Sequence, residues 1–232
     1  MFKAFKDIGK KLEKKKILYY PGCMTQHALP EIRKKYKELL RKIGVDFVEI
    51  DLLKCCGSPA LDAGYKKDFE KLKQRNLEIL KNQNIGKIIT NCPFCYRIFS
   101  EEYGLDVEHI SETLERHSPR LEAKTSFKAT YFDPCNLSRQ RITEQPRNLL
   151  KDLGIELTEF EKNRKNSMCC GAGAGVKANF PKLADEIAKK RLEKCPTTTI
   201  ITCCPACYAH LKENAKQTKR QIRVMELSEV IN

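Results

Sequence analysis

The sequence predicts an α/β protein with two pseudo-repeated parallel sheets and helices on their faces. Two observations lead to this fold class. Short apolar runs alternate along the chain with amphipathic segments of helical spacing, which is typical of parallel sheets covered by helices. A pattern of five cysteines, in the order C…CCG…CPxC, also occurs twice at nearly the same intervals. We therefore expect two copies of one unit, at residues 17–122 and 123–232, after a separate N-terminal segment at residues 1–16.

The first unit is predicted to contain four short strands, which are the apolar runs at 17–20, 47–50, 87–90 and 107–110. Pro30 and Gly44 stand where they would open and close the helix after the first strand. The helix that follows the cysteine pair would turn Phe69 and Leu80 inward. Ser111 is a candidate cap for the last helix of this unit.

The second unit repeats this order, with predicted strands at 129–132, 157–160, 199–202 and 222–225. Pro146 and Gly154 bound the helix between its first two strands. Leu183 and Ile187 mark the helix after its cysteine pair. The polar stretch at 117–128 is predicted to link the two units.

In both units, the first and third strands end just before cysteines of the repeated pattern. Open parallel sheets bind ligands at the carboxyl ends of their strands. We therefore expect the five cysteines of each unit to converge, although each group spans more than seventy residues. The first set is Cys23, Cys55, Cys56, Cys92 and Cys95, and the second set is Cys135, Cys169, Cys170, Cys204 and Cys207.

The composition points to thiol chemistry rather than to disulfides. The chain has 232 residues, 41% of them hydrophobic, and no apolar run approaches the length that spans a bilayer. The N-terminus shows no apolar core of a signal peptide, so a cytoplasmic protein is expected. Reduced thiols are the rule there, and twelve cysteines then indicate metal binding or redox chemistry.

Residues 1–16 carry seven lysines, with Phe2, Phe5, Ile8 and Leu12 at helical spacing between them. This pattern predicts a basic amphipathic helix. It would dock on a partner or lie at the surface of an anionic membrane; a solvated lead-in segment is the alternative. The formal net charge of +14 suits an anionic partner or substrate, but the sequence contains no nucleic-acid-binding motif.

The adjacent cysteines are the most informative feature of each set. Two neighbouring side chains do not readily chelate one small ion, but they reach different iron atoms of a larger cluster. Five thiolates also exceed the four that zinc accepts and the four that usually hold a cubane cluster. Each set therefore indicates an unusual iron–sulfur cluster with a bridging or additional thiolate.

Four residues beside the cysteines are candidates for shaping the cluster site. Gly57 and Gly171 would let the backbone approach a cluster closely. Pro93 and Pro205 would set the start of a helix whose N-terminal amides favour an anionic cluster. The glycine-rich loop at 171–175 is interpreted as a tight turn beside the cluster rather than as a nucleotide-binding loop.

The doubled motif resembles the cysteine-rich CCG domain family. This family includes the cysteine-rich subunit of heterodisulfide reductase and its fused counterpart, together with iron–sulfur subunits of glycolate and lactate oxidation systems. The resemblance covers nearly the whole chain after residue 16. It implies two noncubane [4Fe-4S] clusters, one held by each set of five cysteines, at which a disulfide is reduced. Some members of the family bind zinc in one half, so zinc in one set remains the alternative.

This sequence departs from the fused counterpart in one respect. It contains no CxxCxxCxxxCP run, which would mark a ferredoxin-type region. Electrons are therefore expected from a partner, either a ferredoxin-type or a flavoprotein redox subunit. Such a protein would not be active without its partner subunits.

The remaining candidates have weaker support. Cys203 aligns with Asn91 of the first unit and is predicted to be a buried thiol behind the cluster, and Cys195 is predicted to be a packed small hydrophobic residue. Two histidines and three arginines lie near cysteines of the pattern and are candidates for contacts with cluster sulfur or with an anion; solvated surface is the alternative for each of His27, His210, Arg97, Arg139 and Arg141.

Three functions compete at this point. The first is a subunit that reduces a disulfide or heterodisulfide at its clusters. The second is an electron-transfer subunit of a flavin-dependent dehydrogenase complex of the glycolate or lactate type. The third, a zinc-bound assembly protein, conflicts with sets of five cysteines. An open, apolar cavity between the clusters would favour disulfide chemistry, and clusters sealed from substrate would favour electron transfer.

Overall fold

The computed structural model describes residues 14–232. The predicted N-terminal helix lies almost entirely outside this range. Lys14 and Lys15 belong to no helix, and Lys16 is the first residue of a strand, so the prediction of a helix does not hold for the last three residues of the segment 1–16.

The strands form two sheets in which every pairing is parallel. The order is β1-β2-β3 in the first sheet and β5-β4-β6-β7 in the second. The strands are β1 (Lys16–Tyr20), β2 (Ile85–Thr90), β3 (Val107–His109), β4 (Lys128–Tyr131), β5 (Glu156–Leu157), β6 (Thr199–Thr202) and β7 (Arg223–Glu226). The α/β class and the parallel sheets predicted from the sequence are confirmed.

Helices connect and cover the strands throughout the described range. Those of the first half are α1 (Cys23–His27), α2 (Pro30–Lys42), α3 (Ser58–Asp62), α4 (Lys66–Asn82), α5 (Pro93–Arg97) and α6 (Ile110–Arg116). Those of the second half are α7 (Cys135–Arg139), α8 (Gln145–Asp152), α9 (Val176–Asn179), α10 (Pro181–Glu193), α11 (Pro205–Ala215) and α12 (Leu227–Val230).

Two of the predicted strands are much shorter than expected. The run 47–50 contributes only one parallel bridge, between Val48 and Leu18, and the run 157–160 is replaced by the two-residue strand β5. Both lie at a sheet edge, where the strand has a partner on one side only. In the second case, Glu159 leaves the sheet and pairs with a buried arginine.

The final helix of each half is capped in the same way, by the last residue of the preceding strand. His109 caps α6 and Glu226 caps α12, and in each case the side chain accepts a hydrogen bond from a backbone N–H of the first turn. The predicted cap, Ser111, instead lies inside α6 and donates that N–H. A glutamate at the third helical position completes a capping box at the N-terminus of both helices.

The two halves share one hydrophobic core. Tyr36 and Leu40 of α2 belong to the same buried cluster as Leu149 and Leu150 of α8 and Leu227 of α12. Each half also has a smaller core of its own beneath its sheet. The boundaries 17–122 and 123–232 stay a prediction. Among residues 14–232, no helix combines the length and apolarity needed to cross a bilayer.

Candidate metal centre

The first set of cysteines converges at the carboxyl end of the first sheet, as the strand pattern predicts. Cys23 opens α1 shortly after β1 and is exposed. Cys55 and Cys56 lie in the loop before α3, with Cys56 buried. Cys92 is the N-cap of α5 and is separated from the end of β2 by Asn91 alone, and Cys95 is buried within that helix.

The thiols of the first set form one continuous chain of contacts, in the order Cys23, Cys55, Cys56, Cys95 and Cys92. Hydrogen bonds from the thiols of Cys23 and Cys56 hold the pKa of Cys55 well below its usual value. The hydrogen bond with Cys55, together with burial, raises the pKa of Cys23. The Cys95 thiol and the first N–H groups of α5 lower the pKa of Cys92. Sequence positions up to 72 apart thus form one sulfur-lined site.

The second set repeats this arrangement at the carboxyl end of the second sheet. Its chain of contacts runs in the order Cys135, Cys169, Cys170, Cys207 and Cys204. The sulfur atoms of Cys170 and Cys207 are 3.2 Å apart. The first cysteine of the pair, Cys169, again has a pKa well below its usual value, because the thiols of Cys135 and Cys170 donate to it.

The donor chemistry of both sets is that of an iron–sulfur cluster rather than of a single metal ion. Each offers five sulfur atoms within one connected group, whereas tetrahedral zinc uses four ligands and would leave one thiol idle in each half. Thiolates are the ligands that iron–sulfur clusters use. In addition, a Cβ built on Gly22 would lie 3.0 Å from Cβ of Cys92 and 3.2 Å from Sγ of Cys95. Glycine at position 22 therefore keeps the backbone close to the sulfur atoms, a role that sequence reasoning missed although Gly22 directly precedes Cys23.

The residues predicted to shape the site occupy equivalent places in the two halves. Pro93 and Pro205 stand in the first turn of α5 and α11, directly after the capping cysteine. Gly57 and Gly171 both have φ of +92°, and their N–H groups face Cys55 and Cys169 at 3.4 Å and 3.3 Å from sulfur.

The nearest neighbours of a Cβ built on either of these two glycines are helix residues, not thiols. A Cβ at Gly57 would lie 2.8 Å from the ring of Phe69, and one at Gly171 would lie 2.8 Å from the carbonyl oxygen of Ala184. Glycine is thus required both for the left-handed conformation and for close packing on α4 in the first half and α10 in the second. Contact of either glycine with a cluster stays a prediction.

A cavity of about 510 Å³ opens beside the first set. Cys23, Cys56, Cys92 and Cys95 form part of its wall. The rest comes from both halves and is largely apolar: Met24, Pro59, Ala63, Phe94, Pro205, Ala206 and the loop 173–175, with Ser58, Asp62 and Asn179 as polar groups. The cavity therefore lies between the halves, against the sulfur atoms of the first set.

The second set borders much less free space. The cavity lined by its five cysteines has a volume of about 10 Å³. Phe94 and Ala206 line this small cavity as well as the large one. These middle residues of the two CPxC segments thus separate the two sets of cysteines.

A tyrosine of the first strand in each half contacts the residue just before the CPxC segment, a feature that the sequence pattern did not single out. The hydroxyl of Tyr19 donates to Oδ1 of Asn91 at 3.0 Å. The hydroxyl of Tyr131 lies 2.8 Å from the sulfur of Cys203. Cys203 is fully buried, which confirms the predicted buried thiol and its equivalence to Asn91.

A buried arginine anchors the chain just before the second set. Arg147 of α8 is fully buried and donates to both carboxylate oxygens of Asp133, at 2.7 and 2.8 Å. It also bonds both oxygens of Glu159 and the carbonyl of Thr143, so that all five of its donors are used. Its guanidinium lies 4.9 Å from the ring centre of Tyr131. Asp133 precedes Cys135 by two residues, so this ion pair positions the start of α7.

The remaining candidate residues have different environments. His27 is exposed. His210 is buried and donates from Nε2 to the carbonyl of Ala184 at 3.1 Å, so it is neither a surface histidine nor a donor to cluster sulfur. Cys195 is packed in the core of the second half, as predicted.

The three candidate arginines also separate into two groups. Arg97 is paired with Asp62 at 2.7 Å, so it is not a free site for an anion. Arg139 and Arg141 are exposed.

The model of a cysteine-rich domain, designated CCG, matches the chain twice, at residues 17–100 and 129–212. This chain belongs to the cysteine-rich CCG domain family. The two matches contain all ten cysteines of the two sets. The family, recognised above from the repeated motif, is thus confirmed.

Curated relatives of the chain are iron–sulfur proteins and oxidoreductase subunits. An uncharacterised iron–sulfur protein of Methanocaldococcus jannaschii is 30% identical over 95% of this chain and 46% of its own length. A fumarate reductase (CoM/CoB) subunit of Methanothermobacter marburgensis is 31% identical over 94% and 46%. A dihydromethanophenazine:CoB–CoM heterodisulfide reductase subunit of Methanosarcina acetivorans is 29% identical over 93% and 58%. The chain thus spans about half the length of these relatives.

Solved structures add little to this comparison. A glutamate racemase of Bacillus anthracis covers 94% of this chain, and 78% of the racemase is covered in turn, at a TM-score of 0.43 and 13% identity. This similarity is too low to inform on function.

Proposed function

We propose that the chain is an iron–sulfur redox subunit that reduces a disulfide at noncubane [4Fe-4S] clusters, one held by each set of five cysteines. The observation that carries this proposal is the cavity of about 510 Å³, which lies against four cysteines of the first set. Its size suits a small organic ligand. Its largely apolar wall suits the carbon chains on either side of a disulfide.

Each turnover would break one S–S bond, consume two electrons and two protons, and release two thiols. A bound cluster would supply the electrons, and a ferredoxin-type or flavoprotein redox subunit would deliver them. The protein's own contribution is to hold the disulfide beside Cys23 and Cys56 and to shield it from water with Phe94 and Met24. The relatives named as a heterodisulfide reductase subunit and a fumarate reductase (CoM/CoB) subunit support this chemistry.

The second candidate function is an electron-transfer subunit of a flavin-dependent dehydrogenase complex of the glycolate or lactate type. The cavity of only about 10 Å³ beside the second set leaves no room for a substrate, which favours electron transfer without substrate contact at that position. It does not account for the open cavity at the first set, so disulfide reduction is the proposal that we prefer.

The test is an anaerobic assay of disulfide reduction that needs no protein partner. Reduced viologen dye supplies electrons, aliphatic homo- and heterodisulfides are offered, and released thiols are counted against oxidised dye. We expect two thiols for two electrons. Ala63→Phe, which places a ring in the cavity, should raise KM at unchanged iron content, and Cys195→Ser is the matched control. Dye oxidation without thiol release, for every disulfide, would support the electron-transfer function instead.

A further inference from the structure

The surface beside the second set is a concave basic depression. It has a volume of about 660 Å³ and is lined by Ser138, Arg139, Arg141, Thr143, Asn163, Arg164, Lys165 and Asn166. Four of these eight residues are basic and none is acidic. We refer to this surface as the basic depression. The cavity beside the first set, in contrast, has no basic residue in its wall.

Most of the positive charge in the basic depression is uncompensated. Within residues 14–232, no carboxylate lies within 4.0 Å of the charged groups of Arg139, Arg141 or Lys165, whereas Arg164 is paired with Glu144 at 2.6 Å. The three unpaired side chains are exposed. Fields from unpaired charges in a concave surface attract anionic partners and raise the rate of association.

The backbone presents two of these arginines in an unfavourable conformation. Arg141 has φ of +61° and Arg164 has φ of +53°, and only two other non-glycine residues of the described chain have positive φ. Such residues cost on the order of 1 kcal/mol and concentrate at functional sites. The N–H of Arg164 donates to Asp133 at 2.9 Å, so the loop that carries it is tied to the start of α7.

The basic depression is directly connected with the second set of cysteines. Arg139 is on the same short helix as Cys135, and the hydroxyl of Ser138, another residue of the depression, lies 3.1 Å from that of Ser167, two residues before Cys169. Cys169 and the neighbouring Met168 are both exposed. An electron carrier seated in the depression would therefore lie beside the second set, while the substrate cavity lies beside the first.

We infer that the basic depression is the docking site for an electron-donating protein with an acidic surface, so that electrons enter through the second set and leave to the disulfide at the first. This inference rests on the proposed function and adds to it the direction of electron flow, from the second set to the first. The net charge of +14 and the three unpaired basic side chains of the depression select an acidic partner. Small, polar interfaces with strong salt dependence are typical of such transient redox complexes.

The test measures binding directly, with the iron-loaded full chain under anaerobic conditions and an acidic two-cluster ferredoxin as probe. The variant Arg141→Glu/Lys165→Glu reverses two charges of the depression. The control Lys67→Glu/Lys71→Glu makes the same change in net charge on exposed residues of α4. We expect the depression variant to weaken Kd at least tenfold and the control to change it less than twofold, with equal iron contents. Raising the ionic strength from about 0.02 M to about 0.5 M should also weaken wild-type binding at least tenfold, because it shortens the Debye length several-fold.

Any one of the following results would overturn the inference: no binding of the ferredoxin by the wild-type chain, equal weakening by both double variants, or an unchanged Kd in the depression variant. Saturable binding of inorganic phosphate in the depression without ferredoxin binding would point to a small anionic ligand and would overturn it as well. The dye-driven assay of the wild-type protein stays independent of these results. A failure of docking with intact thiol release would therefore leave the proposed function standing.

Discussion

The ring of Phe94, from the first half, lies against the backbone of Gly173 in the second, and a Cβ built on Gly173 would come within 2.7 Å of Cζ of Phe94. Phe94 also lines the cavities beside both sets of cysteines. The wall between the two candidate clusters therefore depends on a glycine that is 79 residues away in the sequence.

Gly173→Ala is expected to push the Phe94 ring out of place and to destabilise the protein by about 1–3 kcal/mol, as overpacking of a filled site does. In a Phe94→Ala background the same change should cost little, because the ring is gone. A double-mutant cycle on the denaturation midpoint measures this coupling. Additive effects of the two changes would show that the contact has no energetic weight.

Cys195→Ser and Cys203→Ser should both keep the full iron content. Cys195 packs in the core of the second half, and the sulfur of Cys203 faces the hydroxyl of Tyr131 rather than a cysteine of the second set. Serine can preserve that hydrogen bond, so we expect a loss of stability of about 1 kcal/mol. Loss of iron in Cys203→Ser would show that the second set includes Cys203.

Arg147→Met should destabilise the protein by about 3–5 kcal/mol, because it leaves the buried carboxylate of Asp133 without its partner. Iron bound to the second set should be lost first, since Asp133 lies two residues before Cys135. The control is Arg164→Ala, which removes an exposed ion pair with Glu144 and a longer one with Glu159 but leaves Arg147 in place, and should cost less than about 1 kcal/mol. Equal denaturation midpoints for the two variants would contradict this account of Arg147.

Stability should fall as the pH rises towards neutrality because of Glu226. Burial raises the pKa of this carboxyl to about 7, although the hydroxyl groups of Ser228 and Tyr36 donate to it. A carboxyl with a raised pKa in the folded state stabilises the fold fully below its unfolded pKa, and this contribution is lost as the pH rises through the folded value. The loss is on the order of 3 kcal/mol between about pH 4.5 and pH 7.

Glu226→Gln removes the titrating group and should flatten this pH dependence. The measurement is the difference in urea midpoint between Glu226→Gln and the wild type from pH 5 to pH 8, which cancels the effects shared by both proteins. Glu122→Gln is the matched control at an exposed position. A difference that is constant over this range would contradict the assignment.

The sequence was sufficient to predict the fold class, the family and the convergence of the cysteines. The physical reason is that each of these depends on a local pattern. Strands such as 17–20 and 87–90 are local apolar runs, and the carboxyl ends of parallel strands meet at one edge. The runs 47–50 and 157–160 were misjudged because a local pattern does not show that a strand lies at the sheet edge.

Contacts between distant residues were beyond such reasoning. The hydroxyl of Tyr36 donates to Glu226, which is 190 residues away in the sequence. No local sequence pattern marks either residue as half of a buried pair. The basic depression was foreseen only through Arg139 and Arg141. Arg164 and Lys165 join it because of the tertiary arrangement of the loop before the second cysteine pair.

The central claim is that each half binds one iron–sulfur cluster through its own five cysteines, and the most direct measurement is the content of iron, acid-labile sulfide and zinc in anaerobically prepared protein. We predict about eight irons and eight sulfides per chain, and about four of each in both Cys56→Ser and Cys170→Ser. Iron near four with zinc near one would reduce the claim to a single cluster. Zinc near two per chain with no iron would contradict it altogether.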